Sequence, residues 1–235
     1  MSKHMKRLTA PRSWVIERKV AKWAVKPSPG PHPIERSIPL LMLIRDYLGY
    51  ADTAREAKRI IGAAEVLVDG KPTRDHKRPI GIMDVVSIPR LNEHYRILVD
   101  RKGKIRPVKI DSEKAKWKLS KIENKTTVKG GRTQLNLHDG RNILVDEDRY
   151  STGDVLKISI PDQKILEVYK LEKGNIALIT GGSHRGEISF IEEVVRDNAT
   201  KNPPVIFRDG FRTVKKNVFV IGKKKSEIAL PEVEV

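Results

Sequence analysis

The sequence predicts a β-dominant α+β fold divided into small units, and three observations carry that reading. Between residues 38 and 62 apolar side chains recur at helical spacing, whereas from about residue 94 onward they alternate as in strands. Gly, Pro and Asp-Gly pairs interrupt the second region at short intervals, as in a chain of hairpins. The run Pro27-Ser28-Pro29-Gly30-Pro31-His32-Pro33 excludes helix and sheet ladder alike and predicts an extended stretch.

The elements follow in order. Residues 1–37 read as a basic, Pro-rich N-terminal arm. Within it, Ser13 to Val25 is expected to be helical, with Ser13 as cap and Trp14, Val20 and Trp23 on one face. Two fates stay open for the tryptophans, packing on the protein's own body or inserting against a partner on which the arm orders. Ser37 is expected to open a stronger helix with Pro39 in its first turn, Leu40, Leu43, Ile44, Tyr47 and Leu48 inward, and Gly49 at its end. A shorter basic helix runs from Thr53 to Gly62, where Thr53 and Glu56 have the spacing of a capping box. The strand Val66–Val68, the turn Asp69-Gly70-Lys71 and the strand Asp84–Ile88 complete a module at 38–93.

A central β domain is expected at 94–170. Tyr95–Val99 and Ile105–Val108 flank Gly103, with Pro107 favouring an edge. Thr133–Leu137 and Asn142–Val145 flank Asp139-Gly140, a strong hairpin signal. The strand after Gly153-Asp154 echoes the one after Asp84, a turn-then-strand device used twice. Short strands at 165–171, 176–180, 188–195, 203–208 and 213–221 suggest a compact barrel, assigned to 171–222, and the tail at 223–235 is given no fold.

Forty-seven Lys and Arg stand against 30 Asp and Glu, a net charge of +17 that calls for a polyanionic partner. The excess is uneven: residues 1–37 carry net +7, 38–93 net +1, 94–170 net +7 and 171–235 net +2. A uniform solubility coat would not be distributed so. No apolar run approaches the ~20 residues a membrane helix needs, and no signal peptide is visible, so a cytoplasmic location without a membrane partner is expected. Cysteine is absent, which removes thiolate metal sites and cysteine nucleophiles. The six histidines show no metal-ligand spacing, and neither a phosphate-binding loop nor a dinucleotide glycine pattern occurs. The expectation is therefore no catalysis, no cofactor and no small-molecule substrate. With aromatics at 5 %, contacts to phosphate, sugar and RNA shape should dominate over base stacking.

Candidate RNA-binding residues are chosen for charge and placement. The arm offers Lys6, Arg7, Arg12, Trp14, Lys22, Lys26 and Arg36. Arg55, Lys58 and Arg59 recur on one face of the basic helix, beside Lys71 and Arg74, although a solvated amphipathic helix would show the same spacing. Lys129, Arg132 and Arg141 lie at predicted turns of the central domain. His184 and Arg185 sit on a glycine-rich loop, Gly181 to Gly186, between alternating strands.

Taken in order, the pieces resemble the S4e family of small-subunit ribosomal proteins of archaea and eukaryotes. The residues that carry the resemblance are His4-Met5-Lys6-Arg7-Leu8-Thr9-Ala10-Pro11, Trp14, Pro27 to His32, the Arg55–Ile88 region, Leu135 to Asn142 and the glycine loop near 182. The resemblance implies an S4-like RNA-binding module at Arg55–Ile88 and a KOW motif near 176–191 on a small SH3-type barrel. Ser189 departs from that motif, where glycine is more usual, and Gly62 ends the basic helix where related modules often continue. The implied role is a structural constituent of the small ribosomal subunit that binds ribosomal RNA and neighbouring ribosomal proteins. Two rivals share parts of the pattern, an RNA-modifying enzyme with an S4-like module and a KOW-type transcription elongation factor.

Overall fold

The computed structural model describes residues 4–195 and 203–229, in two compact units. The fold is α+β with β dominant. The first unit takes in Met1–Leu98 and Lys104–Lys116, the second Val99–Gly103 and Trp117–Val235.

In the first unit a five-stranded sheet runs in the order Lys71–Pro72, Leu67–Val68, Val85–Ile88, Glu93–Val99 and Ile105–Ile110, which leaves Pro107 on an edge strand as its missing N–H requires. Against it packs a core of Trp14, Ile38, Leu40, Leu43, Ile44, Ala57, Ile61, Val86 and Ile97. The basic helix forms at Ala54–Gly62. Its capping box is complete: the Asp52 and Thr53 amides donate to Glu56 Oε2 at 3.0 and 3.2 Å, and the Glu56 amide donates to Thr53 Oγ1 at 3.2 Å.

Two sequence expectations fail in this unit. Ser37 does not open a helix, because Ser37–Pro39 is a strand paired with Pro79–Gly81. Helix begins only at Leu40–Met42 and widens into a π-turn at Leu43–Tyr47, where the Leu48 amide reaches Leu43 O at 3.0 Å. The amides of Leu40 and Leu41 are satisfied from outside the helix, by the carbonyls of Arg78 and His76, each at 3.0 Å. Nor is Ser13–Val25 a helix. Trp14 is 1 % exposed and donates its Nε1–H to Ser37 O at 2.6 Å, while Arg18 folds back on the carbonyls of Ala10 and Pro11 at 2.8 and 2.9 Å. The backbone is committed outside the segment as well, since the Val15 amide donates to the Tyr47 hydroxyl at 2.7 Å, Ser13 O accepts the Ile105 amide at 2.9 Å and Lys22 O the Arg7 amide at 3.0 Å, and a helical ladder would claim those groups. Residues Trp23–Ala24 form a short ladder with Met5–Lys6 instead.

Among the described residues the second unit holds two sheets. One runs Asn142–Val145, Thr133–Leu137, Trp117–Thr127, Val155–Ser159, Ile165–Tyr169. Its central strand, Trp117–Thr127, was missed because Lys118 and Lys121 occupy inward positions and erase the apolar alternation. The other runs Arg212–Val214, Pro204–Phe207, Ile188–Val194, Ile176–Ile179, Val218–Gly222, with a 3-10 turn at Lys215–Asn217 carrying the chain from one edge strand to the other. That sheet lies where a compact barrel is expected and stays open, with Arg212–Val214 and Val218–Gly222 as its edge strands. The tail is not without structure: the Glu227 amide donates to Ile221 O at 3.0 Å and Ile228 is buried. Residues 230–235 lie outside the described residues.

The repeated turn-then-strand device is real. Asp84 and Asp154 each receive the amide of the residue three positions earlier on the side-chain oxygen, Gly81 and Ser151 respectively, both at 2.9 Å. Their own amides return to the same residues' carbonyls at 3.3 and 3.1 Å. Each aspartate closes its own turn.

Candidate nucleic-acid interface

Burial sorts the candidate cations. Ala57 and Ile61 turn the Ala54–Gly62 helix inward, so Arg55, Lys58 and Arg59 point to solvent. Lys71 follows the turn Asp69-Gly70, in which both residues have positive φ, 49° and 72°, the geometry of a tight hairpin. Asp69 is not part of the cationic surface, since its carboxylate accepts the Val85 amide at 3.0 Å. Arg74 is exposed in the loop that follows. Among the described residues no carboxylate lies within salt-bridge range of Arg55, Lys58, Arg59, Lys71 or Arg74. They remain available to an external anion.

The loop at 73–78 is fixed by its backbone. His76 O and Arg78 O cap the Leu40–Met42 helix, and Lys77 O receives the Ser28 amide at 2.9 Å. Burial and then the neighbouring Lys58 charge hold the His76 imidazole below its usual pKa range. The Lys58 ammonium is therefore felt at this loop, where the Asp75 carboxylate acts in the opposite sense. Sequence reasoning missed Lys77, although a Lys-Arg pair directly before a strand was there to be read.

In the second unit Lys129 and Arg132 stand exposed at the tip of a hairpin through Gly130 and Gly131, with φ of 88° and 76°. The Val128 amide closes that tip on Arg132 O at 2.9 Å. The hairpin presents two exposed cations.

Other candidates are engaged by groups of the protein itself. Trp14 is a core residue and offers no ring to a partner. Arg7 is buried, donates to Glu17 O and lies 3.6 Å from Asp46. Arg141 Nε lies 3.3 Å from the buried carboxylate of Asp139. His184 bonds Glu187 at 2.9 Å and stacks on Phe211 with centroids 4.3 Å apart, and Phe211 in turn stacks on Phe207 at 5.0 Å. Arg185 is half-buried along Gly103. The glycine loop does make the close backbone approach expected of it: a Cβ on Gly186 would stand 2.0 Å from Asp100 O. Ser189, in place of the usual glycine, is buried and pairs with Ala177 without disturbing the ladder. Of the arm, Lys6, Arg12 and Lys22 are exposed, while Lys26 and Arg36 are half-buried.

In the first unit exposed cations stand on a capped helix and a pinned loop that also carry the exposed carboxylates of Glu56 and Asp75, and in the second unit Lys129 and Arg132 stand exposed at a glycine hairpin. The profile of Ribosomal family S4e matches residues 91–165, and that of the RS4NT (NUC023) domain matches residues 1–35. The small ribosomal subunit protein eS4 of Methanothermobacter thermautotrophicus is 52 % identical over 97 % of this chain and 96 % of its own length. That of Archaeoglobus fulgidus is 50 % identical over 95 % of each. The crystal structure of the 30S ribosomal protein S4e from Thermoplasma acidophilum superposes with a TM-score of 0.73 at 41 % identity, covering 82 % of this chain and 99 % of the other. This chain belongs to the S4e family of ribosomal proteins. The family is one of structural ribosomal proteins and not of enzymes.

Proposed function

We propose that this protein is a structural constituent of the small ribosomal subunit, acting in translation as an anchor on ribosomal RNA through phosphate and shape contacts. One observation carries the reading: near full-length, collinear similarity to proteins named small ribosomal subunit protein eS4, in a chain whose unpaired cations gather on the Ala54–Gly62 helix and the loop after it. Arg55, Lys58, Arg59, Lys71, Arg74 and Lys77 bind the phosphates of one RNA segment, and Lys129 and Arg132 bind at a second point. Lys6, Arg12 and Lys22 extend the contact along the N-terminal segment. Neighbouring ribosomal proteins are the other partners, and the cytoplasmic ribosome is the location. The relatives support neither the RNA-modifying enzyme nor the elongation factor.

Sedimentation of cell extract, with the protein followed by mass spectrometry, tests this directly. Co-migration with the small subunit is expected, and migration only with RNA polymerase or at the top of the gradient would refute it. Binding to transcribed small-subunit RNA should weaken with salt at a log–log slope of about −7 to −9 for ten phosphate contacts. A slope shallower than about −2 would mean that phosphate contacts are not the main term.

A further inference from the structure

Of the three tryptophans, Trp14 is buried and Trp117 lies 4.3 Å beneath the Lys157 ammonium, but Trp23 is 51 % exposed. It takes no part in the core of its unit. Its backbone is nevertheless well held. Trp23 pairs across the short ladder with Lys6, Ala24 pairs with Met5, and the Arg7 amide donates to Lys22 O at 3.0 Å. Directly opposed residues in a ladder point to one face, which puts the Lys6 side chain beside the indole. The His4 ring stands on the same side, its centroid 5.5 Å from that of Trp23 at 48°, and Lys22 Nζ lies 5.3 Å from the indole centroid. Leu8 and Val20 are also left outside, 68 % and 65 % exposed. Residues 4–26 carry seven Lys and Arg against one Glu.

We infer that Trp23 is a stacking platform for an unpaired base of the bound RNA, with Lys6 and Lys22 on the phosphates at either side of that nucleotide. The inference rests on the RNA-binding reading above and adds to it a contact with a base, which the scarcity of aromatic residues had argued against. An exposed indole with two lysines beside it matches both halves of a nucleotide, a flat π face and a flanking negative charge. An apolar protein partner would match the ring alone and would bury the surrounding ammonium groups without compensation.

The test uses the full-length chain and labelled small-subunit RNA transcript in an anisotropy titration, with Trp23→Phe, Trp23→Leu and Trp23→Ala. Phe keeps an aromatic face and should bind within about threefold of wild type, whereas Leu and Ala should weaken binding about five- to hundredfold. The salt slope should be the same in all four proteins, since no charge changes. Leu binding as tightly as Phe would overturn the inference. So would a Leu variant that binds RNA normally but fails to enter the subunit, because the ring would then face a protein. Failure of the wild type to bind the transcript at all would bring down the underlying reading as well, and is told apart by that control. The unaltered chain gives an independent measurement. Iodide should quench the exposed indole in free protein, and saturating RNA should remove that quenchable fraction; iodide quenching undiminished in the complex would also overturn the inference.

Discussion

Lys118 Nζ lies 2.6 Å from Asp139 Oδ2, with both side chains withdrawn from solvent. The pair joins the start of the Trp117–Thr127 strand to the turn between Thr133–Leu137 and Asn142–Val145, and Arg141 Nε approaches the same carboxylate at 3.3 Å. Asp139 thus lies beside two cations. Asp139→Asn withdraws the buried charge that Lys118 and Arg141 both face, so it should destabilise the second unit by about 3–5 kcal/mol. Lys118→Met should cost less, because the methylene stem is kept and Arg141 stays beside Asp139. The double variant Lys118→Met/Asp139→Leu should recover part of the loss. Urea unfolding of the three proteins checks the order, and equal losses for both single variants would contradict it.

Trp14 binds the N-terminal segment into the first core through its packing and its bond to Ser37 O. Trp14→Ala should therefore destabilise the protein by about 3–5 kcal/mol, as for other large-to-small changes in a core. Deleting residues 1–37 should lower the melting temperature markedly. Limited proteolysis gives the same information on the native chain: cleavage after buried Arg7 should be slow, and after exposed Arg12 and Lys22 faster. Unchanged melting on deletion would show the segment to be an appendage.

Replacing Arg55, Lys58 and Arg59 together by Gln preserves helix propensity and leaves the Thr53–Glu56 cap in place. Circular dichroism should be unaltered while RNA affinity falls more than about tenfold at moderate salt, with the salt slope shallower by about 0.7–0.9 for each lost phosphate contact. An unchanged slope would mean that this face meets only water.

Acid should expose a cluster around Glu93. Its carboxylate accepts bonds from Lys109 at 2.6 Å, from the Tyr50 hydroxyl and from Tyr95 at 2.9 Å, and these hold its pKa at about 2 against an ordinary 4.5. The unfolded chain then binds the proton more readily than the folded one, so stability is present in full above about pH 4.5 and is lost as pH falls towards 2. Glu93→Gln should flatten the stability profile across that window. The partners respond in kind: burial raises the pKa of Tyr50, and the bond to Glu93 raises it further.

His76 gives a second pH window. Its folded-state pKa is depressed below the ordinary 6.5, first by burial and then by Lys58. The unfolded state therefore takes up the proton first, and stability falls as pH drops through 6.5. Phosphate beside Lys58 would oppose that depression, so RNA binding should tighten on mild acidification and His76→Gln should remove the effect. Affinity independent of pH between 7 and 5.5 in the wild type, values bracketing the ~6.5 of an ordinary imidazole, would place the RNA away from this loop.

What the sequence by itself determined is what neighbours along the chain decide. The Thr53–Glu56 capping box, the Asp139-Gly140 hairpin and the paired turns closed by Asp84 and Asp154 each bind groups within a few residues, and each was legible from spacing. The outward face of the Ala54–Gly62 helix was legible too, since Ala57 and Ile61 fix which side is buried. What only the tertiary structure decided depends on partners far along the chain. Trp14 left a helical pattern for Ser37 O, and His184, still partly exposed, bonds Glu187 and stacks on Phe211. Lys121, whose ammonium donates to the carbonyls of Lys215, Lys216 and Val218 at 2.9, 3.0 and 2.8 Å, sits inside a strand that its charge had hidden. A lysine or arginine reads as surface until an acceptor from a distant segment is brought to it, because burying the charge is tolerable only where that acceptor stands. Charge on the page therefore names a pool of RNA-binding candidates, and burial in the fold selects among them.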